Sequence, residues 1–284
     1  MQCSPLRFVQ LSDVHVGNNV YNPATARHHL RWALGEAAAL GAAGVVVTGD
    51  VITDGTAGEL EEYARLIAES AVPVYSLPAG HDLLGGREAR AWEALIGPTQ
   101  QAVELAGLQV VLWDDLPAAA ERLAWLEAHL EPRKPTVVCH HTPLVPTATG
   151  YHVPWDDPLT EEVLALCRQR EVLAMVSGHW HRNGEWRVAG QRMINTGALC
   201  GWEWVGVPPH QCFPTRAGYR LFEYDGVLRS LWREGSYWDM PGPRCQVCLE
   251  WVGPAHTGGP RPEVRPVDVL DECSLRATAY AVGE

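Results

Sequence analysis

From the start of the chain to about residue 180, short continuous apolar runs alternate with longer stretches whose apolar residues recur every three to four positions. Apolar runs bounded by turn residues predict strands buried on both faces. "LRFVQL" (6–11), "GVVVTGD" (44–50), "VPVYSL" (72–77), "LQVVLW" (108–113), "TVVCHH" (136–141) and "VLAMVSGH" (172–179) form this series. Helical patterns lie between them. Asn22-Pro23 opens a helix to about Leu40, because proline suits the first helical position, where its missing N–H costs nothing. Thr56-Ala-Gly-Glu59 has the spacing of a capping box ahead of a helix to about Ser70. A further helix covers 117–130, with Leu123, Leu126 and Leu130 on one face. Another runs from Asp157-Pro158 to about Arg170. Strands alternating with helices predict an α/β sandwich with parallel strands.

From Glu185 the pattern changes. "EWRVAGQRMINTG" and "GYRLFEYDGVLRSLWR" read as hairpins, the second turning at Asp225-Gly226. After Tyr237 the chain is rich in Pro and Gly, with no periodicity until about 264. The expected division is a domain over 1–236 and an extended or loosely folded appendage over 237–284. No internal repeat stands out.

Composition narrows the function classes. The chain has 284 residues, 46% hydrophobic and 20% charged, which supports a sizeable core and excludes a disordered chain. The net charge of −12 argues against nucleic acid or anionic membrane as partner. An anionic substrate remains compatible, because a bound cation dominates the field around it. Lys134 is the only lysine, a compositional bias without functional content. The N-terminus enters a strand without a basic segment and apolar run, so no signal peptide is expected. No apolar stretch has the length to cross a bilayer. The eight cysteines are scattered and read as reduced thiols. A cytoplasmic location is the resulting expectation.

Chemistry collects at the strand ends. The first strand releases Asp13-Val-His15, the second Gly49-Asp50, the third His81-Asp82, the fifth His140-His141 and the sixth His179-Trp-His181. In open α/β sheets, ligands bind outside the carboxyl ends of the strands. Asp13 and His15 are two residues apart, as are His179 and His181. In extended chain such pairs point to one side. Carboxylates with imidazoles suit divalent Mn, Fe, Zn or Co better than Ca or Mg. Asp50, with two oxygens, is able to bridge two ions.

The ordered set Asp13-x-His15, Gly49-Asp50, Gly80-His81-Asp82, His140-His141 and Gly178-His179-Trp-His181 resembles the calcineurin-like metallophosphoesterases over about residues 6–200. "NTGA" (195–198) resembles that family's continuation. The resemblance implies a two-layer β-sandwich flanked by helices, an αββα arrangement, with two divalent ions, Mn, Fe or Zn. It places Asp13, His15 and His181 on one metal, His140 and His179 on the other, and Asp50 between them. His81 would assist a metal-activated water in hydrolysing a small phosphate ester, with no serine or cysteine nucleophile. The chain departs from the family at one position. The family has an asparagine ligand of the second metal before its histidine, and here Gly80 offers no side chain. A water, or Asn18, Asn19, Asn183 or Asn195, would have to replace it, or the second site binds weakly.

Other residues carry two readings each. Asp82 either orients His81 or bonds to turn backbone. His141 and Arg182 are candidate substrate contacts, against packing for the first and plain exposure for the second. Trp202, Trp204 and His210 either line a pocket entrance or pack the appendage. Cys245-Gln-Val-Cys248, with distant His256 and Cys273, reads as separate thiols before a zinc site. The leading function is a metal-dependent phosphodiesterase, by resemblance to the compact bacterial phosphodiesterases with a double histidine as at His140-His141. A phosphomonoesterase is the near alternative. A non-catalytic metal- or nucleotide-binding module, degenerate at Gly80, is the alternative of another class.

Overall fold

The computed structural model describes residues 4–17, 23–83, 89–114, 116–144, 159–205, 211–214, 216–235, 249–252 and 263–266. Two mixed sheets stack face to face with helices on their outer sides. The first sheet has the order β13-β12-β1-β2-β3. Its members are β1 (Leu6–Leu11), β2 (Val45–Thr48), β3 (Val74–Leu77), β12 (Gly218–Tyr224) and β13 (Leu228–Glu234). The second has the order β4-β5-β6-β7-β9-β8. It contains β4 (Gln101–Leu105), β5 (Leu108–Leu112), β6 (Thr136–Cys139), β7 (Ala174–Ser177), β8 (Gly184–Val188) and β9 (Gln191–Asn195). β1, β2 and β3 run parallel, as do β5, β6, β7 and β9, while hairpins supply the antiparallel edges.

The parallel strands lack apolar–polar alternation because both of their faces are covered. Val46 of β2 packs between the sheets with Phe8, Val110, Val137, Val176 and Phe222. Its neighbours Val45 and Val47 pack outward against α1 (Pro23–Ala39) and α2 (Ala57–Ala68). Leu30, Ala33, Leu34 and Ala37 of α1 supply the stripe expected of an amphipathic helix. Val111, Val138 and Met175 pack outward against α4 (Ala119–His129) and α5 (Thr160–Gln169). The Phe8 and Phe222 rings stack with centroids 4.6 Å apart and join β1 to β12 within the inner layer.

The expected elements recur within a few residues, and the capping box is formed in both directions between Thr56 and Glu59. The hairpin turn at Asp225-Gly226 also recurs. Several elements had no counterpart in the pattern, among them α3 (Ala89–Leu95), β4, and the strands at Trp202–Val205, Gln211–Pro214, Leu249–Val252 and Glu263–Pro266. α3 is short and buries only Trp92. β4 is an edge strand with alternating exposure, turned back onto β5 through Ala106 and Gly107, both at positive φ. A small antiparallel sheet orders β10 (Trp202–Val205), β11 (Gln211–Pro214), β14 (Leu249–Val252) and β15 (Glu263–Pro266). The last two strands fall within the expected appendage. His210 and the Cys245, Cys248, His256 and Cys273 group lie outside the described residues. No helix among the described residues is long and apolar enough to cross a membrane.

His29 of α1 is buried and its Nδ1–H donates to Leu199 O at 2.7 Å. Burial lowers its pKa from 6.5 to about 4, against the upward pull of that bond. The unfolded chain therefore takes a proton that the folded one refuses between those values. Stability from this residue is present above about pH 6.5 and lost as pH falls toward 4, by about 3 kcal/mol in full. His29→Asn keeps a donor and removes the titration. Urea unfolding at pH 7 and pH 4.5 should show a smaller acid loss in the variant than in the parent.

Candidate metal centre

Backbone pairing continues past the strand ends and draws the loops together. Asp13 N–H donates to Gly49 O at 3.1 Å, His15 N–H to Asp50 O at 3.0 Å, and Val16 N–H to Val51 O at 2.9 Å. In the other sheet His140 N–H donates to Val176 O at 2.9 Å and Gly178 N–H to His141 O at 3.0 Å. These bonds hold unusual backbone. Asp13, His15, Asp50, His179 and His181 have φ of 53°, 51°, 49°, 69° and 54°. The left-handed region costs a residue with a Cβ about 1 kcal/mol or more. The shared direction of Asp13 with His15, and of His179 with His181, was expected from extended chain. The structure instead gives each of these residues a positive φ, and His179 and His181 reach different donor groups.

Two groups of donor atoms result. His181 Nε2 lies 3.3 Å from Asp13 Oδ1 and 3.3 Å from His15 Nε2. His141 Nε2 lies 3.2 Å from Asp50 Oδ2 and 3.2 Å from His179 Nδ1. Asp50 also has an oxygen within 4.8 Å of donors on Asp13 and His15, which places it between the groups. Asp13 Oδ1 is buried and accepts no hydrogen bond. Imidazole nitrogens facing one another, with an unsolvated carboxylate oxygen beside them, are the arrangement a cation satisfies. The residues therefore fit a pair of divalent ions.

Electrostatics point the same way. Burial opposes ionisation of Asp13, yet His181 and His141 outweigh it and bring the pKa to about 2. Asp50 is likewise held well below the usual carboxylate range, its desolvation outweighed by His141, His81 and His15. Burial works against a charged His181, but Cys200 and Asp13 raise its pKa well above 6.5. Burial dominates at His15, whose pKa falls to about 3 and whose ring is neutral, as a ligand must be.

The outward nitrogens are held as well. His141 Nδ1–H donates to Thr48 O at 2.8 Å and His81 Nδ1–H to Thr53 O at 2.7 Å. His15 Nδ1 faces Thr53 Oγ1 at 3.4 Å, and His181 Nδ1 faces Cys200 Sγ at 3.8 Å. Beneath the centre a buried polar layer ties the sheets together. Gln10 Nε2 donates to Thr48 Oγ1 at 2.8 Å, Thr196 hydrogen-bonds Gln10 Oε1, and Arg220 Nε donates to Thr196 Oγ1 at 3.3 Å. Arg220 also donates to Asn183 Oδ1 and to Asn195 O.

The centre corrects several expectations. His141, not His140, joins Asp50 and His179. His140 sits on the other side of the strand end, with Nδ1 on Thr142 O at 2.8 Å and its ring against Trp113. The catalytic role expected of Asp82 gives way to its turn reading. It is fully buried and accepts from Ile52 N at 3.0 Å and Ala79 N at 2.8 Å, bracing the loop that carries His81. Asn183 is engaged by Arg220, and Asn195 by Ser177 and Arg182 O, so neither replaces the missing ligand. Asn18 and Asn19 lie outside the described residues, as do the Trp202 and Trp204 side chains. Arg182 follows His181 and is partly exposed. His81 and His179 are partly exposed and Gly80 is exposed, so these three form the open rim. Cys200, Ser12, Thr48 and Arg220 had no signal in the sequence, since no motif or period marks them.

The sequence model of the calcineurin-like phosphoesterase family matches residues 6–183. No curated protein matches the chain. Among solved structures, the purple acid phosphatase PPD1 from yellow lupin (Lupinus luteus) seeds is similar, with 15% identity and a TM-score of 0.65. That similarity covers 84% of this chain and 53% of the lupin chain, so this chain spans about half the length of that relative. GAP50, described as the anchor in the inner membrane complex of Plasmodium, is similar at 11% identity and a TM-score of 0.58, over 99% of this chain and 96% of its own. A dimetal phosphatase from Danio rerio is similar at 15% identity and a TM-score of 0.53, over 80% and 99%.

Two glycines are required by close approach. A Cβ on Gly49, at φ +82°, would lie 2.6 Å from Ala79 Cβ and 2.8 Å from His141 Nδ1. A Cβ on Gly178 would overlap Ser12 Oγ and lie 2.7 Å from Asp13 Oδ2. Gly178→Ala should therefore lower Mn²⁺ affinity at least tenfold in calorimetric titration, because it displaces Asp13. Exposed Gly35 in α1 has nothing within 4 Å of such an atom. Gly35→Ala should instead gain about 1 kcal/mol of stability with Mn²⁺ affinity unchanged.

Proposed function

The chain belongs to the calcineurin-like phosphoesterase family, and we propose that it is a metal-dependent phosphoester hydrolase with a preference for diesters. The observation that carries this reading is the convergence of Asp13, His15 and His181, and of His141 and His179, on either side of Asp50. Two divalent ions bound there would supply Lewis-acid activation of water and neutralise charge on the phosphate. Asp13, His15, Asp50, His141, His179 and His181 would hold them.

His81 would serve as proton donor to the leaving oxygen. It is partly exposed, and its backbone N–H on Asp50 Oδ1 at 3.2 Å ties it to the carboxylate between the two donor groups. Its Nδ1–H is committed to Thr53 O, so proton exchange with a bound ester falls to Nε2. The preference for diesters rests on the resemblance of the His140-His141 pair to compact bacterial phosphodiesterases. Gly80 leaves the second metal position one protein donor short, a place for water or for a substrate oxygen.

One observation favours a second reading, a non-catalytic metal- or nucleotide-binding module. Gly80 removes the expected ligand, and GAP50 is a protein of similar fold described as an anchor. Retention of His81 beside the gap supports the enzyme.

Chromogenic phosphate diester and monoester, offered with and without Mn²⁺, separate these readings. The expected result is Mn²⁺-dependent turnover, faster on the diester, with kcat at least 100-fold lower in His81→Ala. Faster monoester turnover would replace the diester preference. Absence of turnover at every metal concentration would favour the binding module. Because nothing stands within 4 Å of the Cβ direction at Gly80, Gly80→Asn should fold normally and bind a second Mn²⁺ more tightly, read as ions bound per chain.

A further inference from the structure

The ring nitrogens that turn away from the two donor groups meet unequal partners. His141 and His81 use backbone carbonyls at 2.8 and 2.7 Å, and His15 faces a hydroxyl. His181 meets the sulfur of Cys200 at 3.8 Å. Cys200 is buried and its thiol forms no disulfide. Its place is fixed by backbone bonds to the same loop that supplies Asp13: Cys200 N–H donates to Asp13 O at 3.0 Å and Leu199 N–H to Ser12 O at 2.8 Å. His29 clamps Leu199 O from the other side. The segment carrying Cys200 thus ties Asp13 and His181 into one unit.

We propose that Cys200 is a positioning residue for His181, its sulfur accepting the Nδ1–H and so presenting Nε2 to the metal position shared with Asp13 and His15. The inference rests on the metal-dependent reading above. A histidine that binds a metal through Nε2 must carry its proton on Nδ1, and the partner of that proton fixes both tautomer and ring orientation. Cys200 Sγ also lies within 4.8 Å of donor atoms on His15 and His181, but it meets the Nδ1 edge of His181 while Asp13 Oδ1 stands beside Nε2, and that edge assigns it to the ring. A thiol is a longer and weaker acceptor than a carbonyl. His181 thus meets a replaceable side chain at Nδ1, where His141 meets a backbone carbonyl.

The test is calorimetric Mn²⁺ titration of the metal-stripped full chain and of Cys200→Ser, Cys200→Ala and Cys200→Val. Melting of each metal-free protein monitors folding. Serine keeps an acceptor, valine keeps the approximate volume without one, and alanine removes both. Affinity is expected within about threefold of the parent for serine and about tenfold or more below it for alanine and valine. Folded alanine or valine variants that bind Mn²⁺ like the parent would overturn the positioning role. An equal loss in serine would overturn it too, since packing would then explain the effect. If alanine and valine fail to fold, retained affinity in serine supports the role and lost affinity sinks it. A parent that binds no Mn²⁺ would remove both this inference and the proposed function, whereas binding by the parent with unaffected variants removes this inference alone.

Discussion

Two buried carboxylates set the terms for the rest of the molecule. Asp13 and Asp50 stand at the ends of adjacent parallel strands, almost without solvent, among imidazole nitrogens 3.2 to 3.3 Å from one another or from a carboxylate oxygen. A carboxylate in such surroundings stays ionised only if positive charge is supplied. In the protein alone, Cys200 and Asp13 hold the His181 pKa well above 6.5 against its burial, which favours the charged ring. The donor geometry suits divalent ions for the remainder. The strained left-handed turns, the glycines at 49 and 178 and the hydrogen-bonded outer nitrogens all hold charges that would otherwise separate.

The scaffold meets this demand with two layers of different character. Away from the centre, the space between the sheets is dry and packed by Phe8, Val46, Val110, Val137 and Phe222. Under the centre it is polar, with Gln10, Thr48, Ser177, Asn195, Thr196 and Arg220 all buried. These residues are bonded to one another and to backbone of the loops above. A fully bonded buried network makes sliding or reorientation costly, because any shift leaves polar groups unpaired. The loops bearing His141, His179 and His181 therefore rest on a rigid base, although they lie beyond the last strand residues.

Burial around the two metal positions is unequal. Asp13, His15 and His181 are enclosed, while His179, His81 and Gly80 form an open rim. Asp50 and His141 are buried as well, so the exposure of the second group comes from His179 alone among its donors. Gly80, the departure from the family pattern, falls on the exposed side, with nothing within 4 Å of its Cβ direction, so the fold does not require glycine there for space.

The sequence by itself determined the order of strands and helices, the capping box and the strand ends where chemistry gathers. Those signals are local: apolar run length, helical period, turn residues and adjacent His and Asp. It missed β4, α3 and the four short strands of the small sheet, because an alternating edge strand, a helix of two turns and strands of four residues carry weak patterns. Tertiary structure decided which histidine of the 140–141 pair faces the centre. Val137 and Cys139 of β6 face the opposite sheet and Val138 faces the helices. By strand parity His141 continues the inner face and His140 the outer one. All four residues of β6 are buried, so hydrophobicity does not mark its inner face, and only packing against the second sheet does. The same limit applies to Cys200, to Arg220 and to the bond from Ile52 N to Asp82. Each depends on contacts between segments distant in sequence, and such contacts leave no periodic trace in the chain.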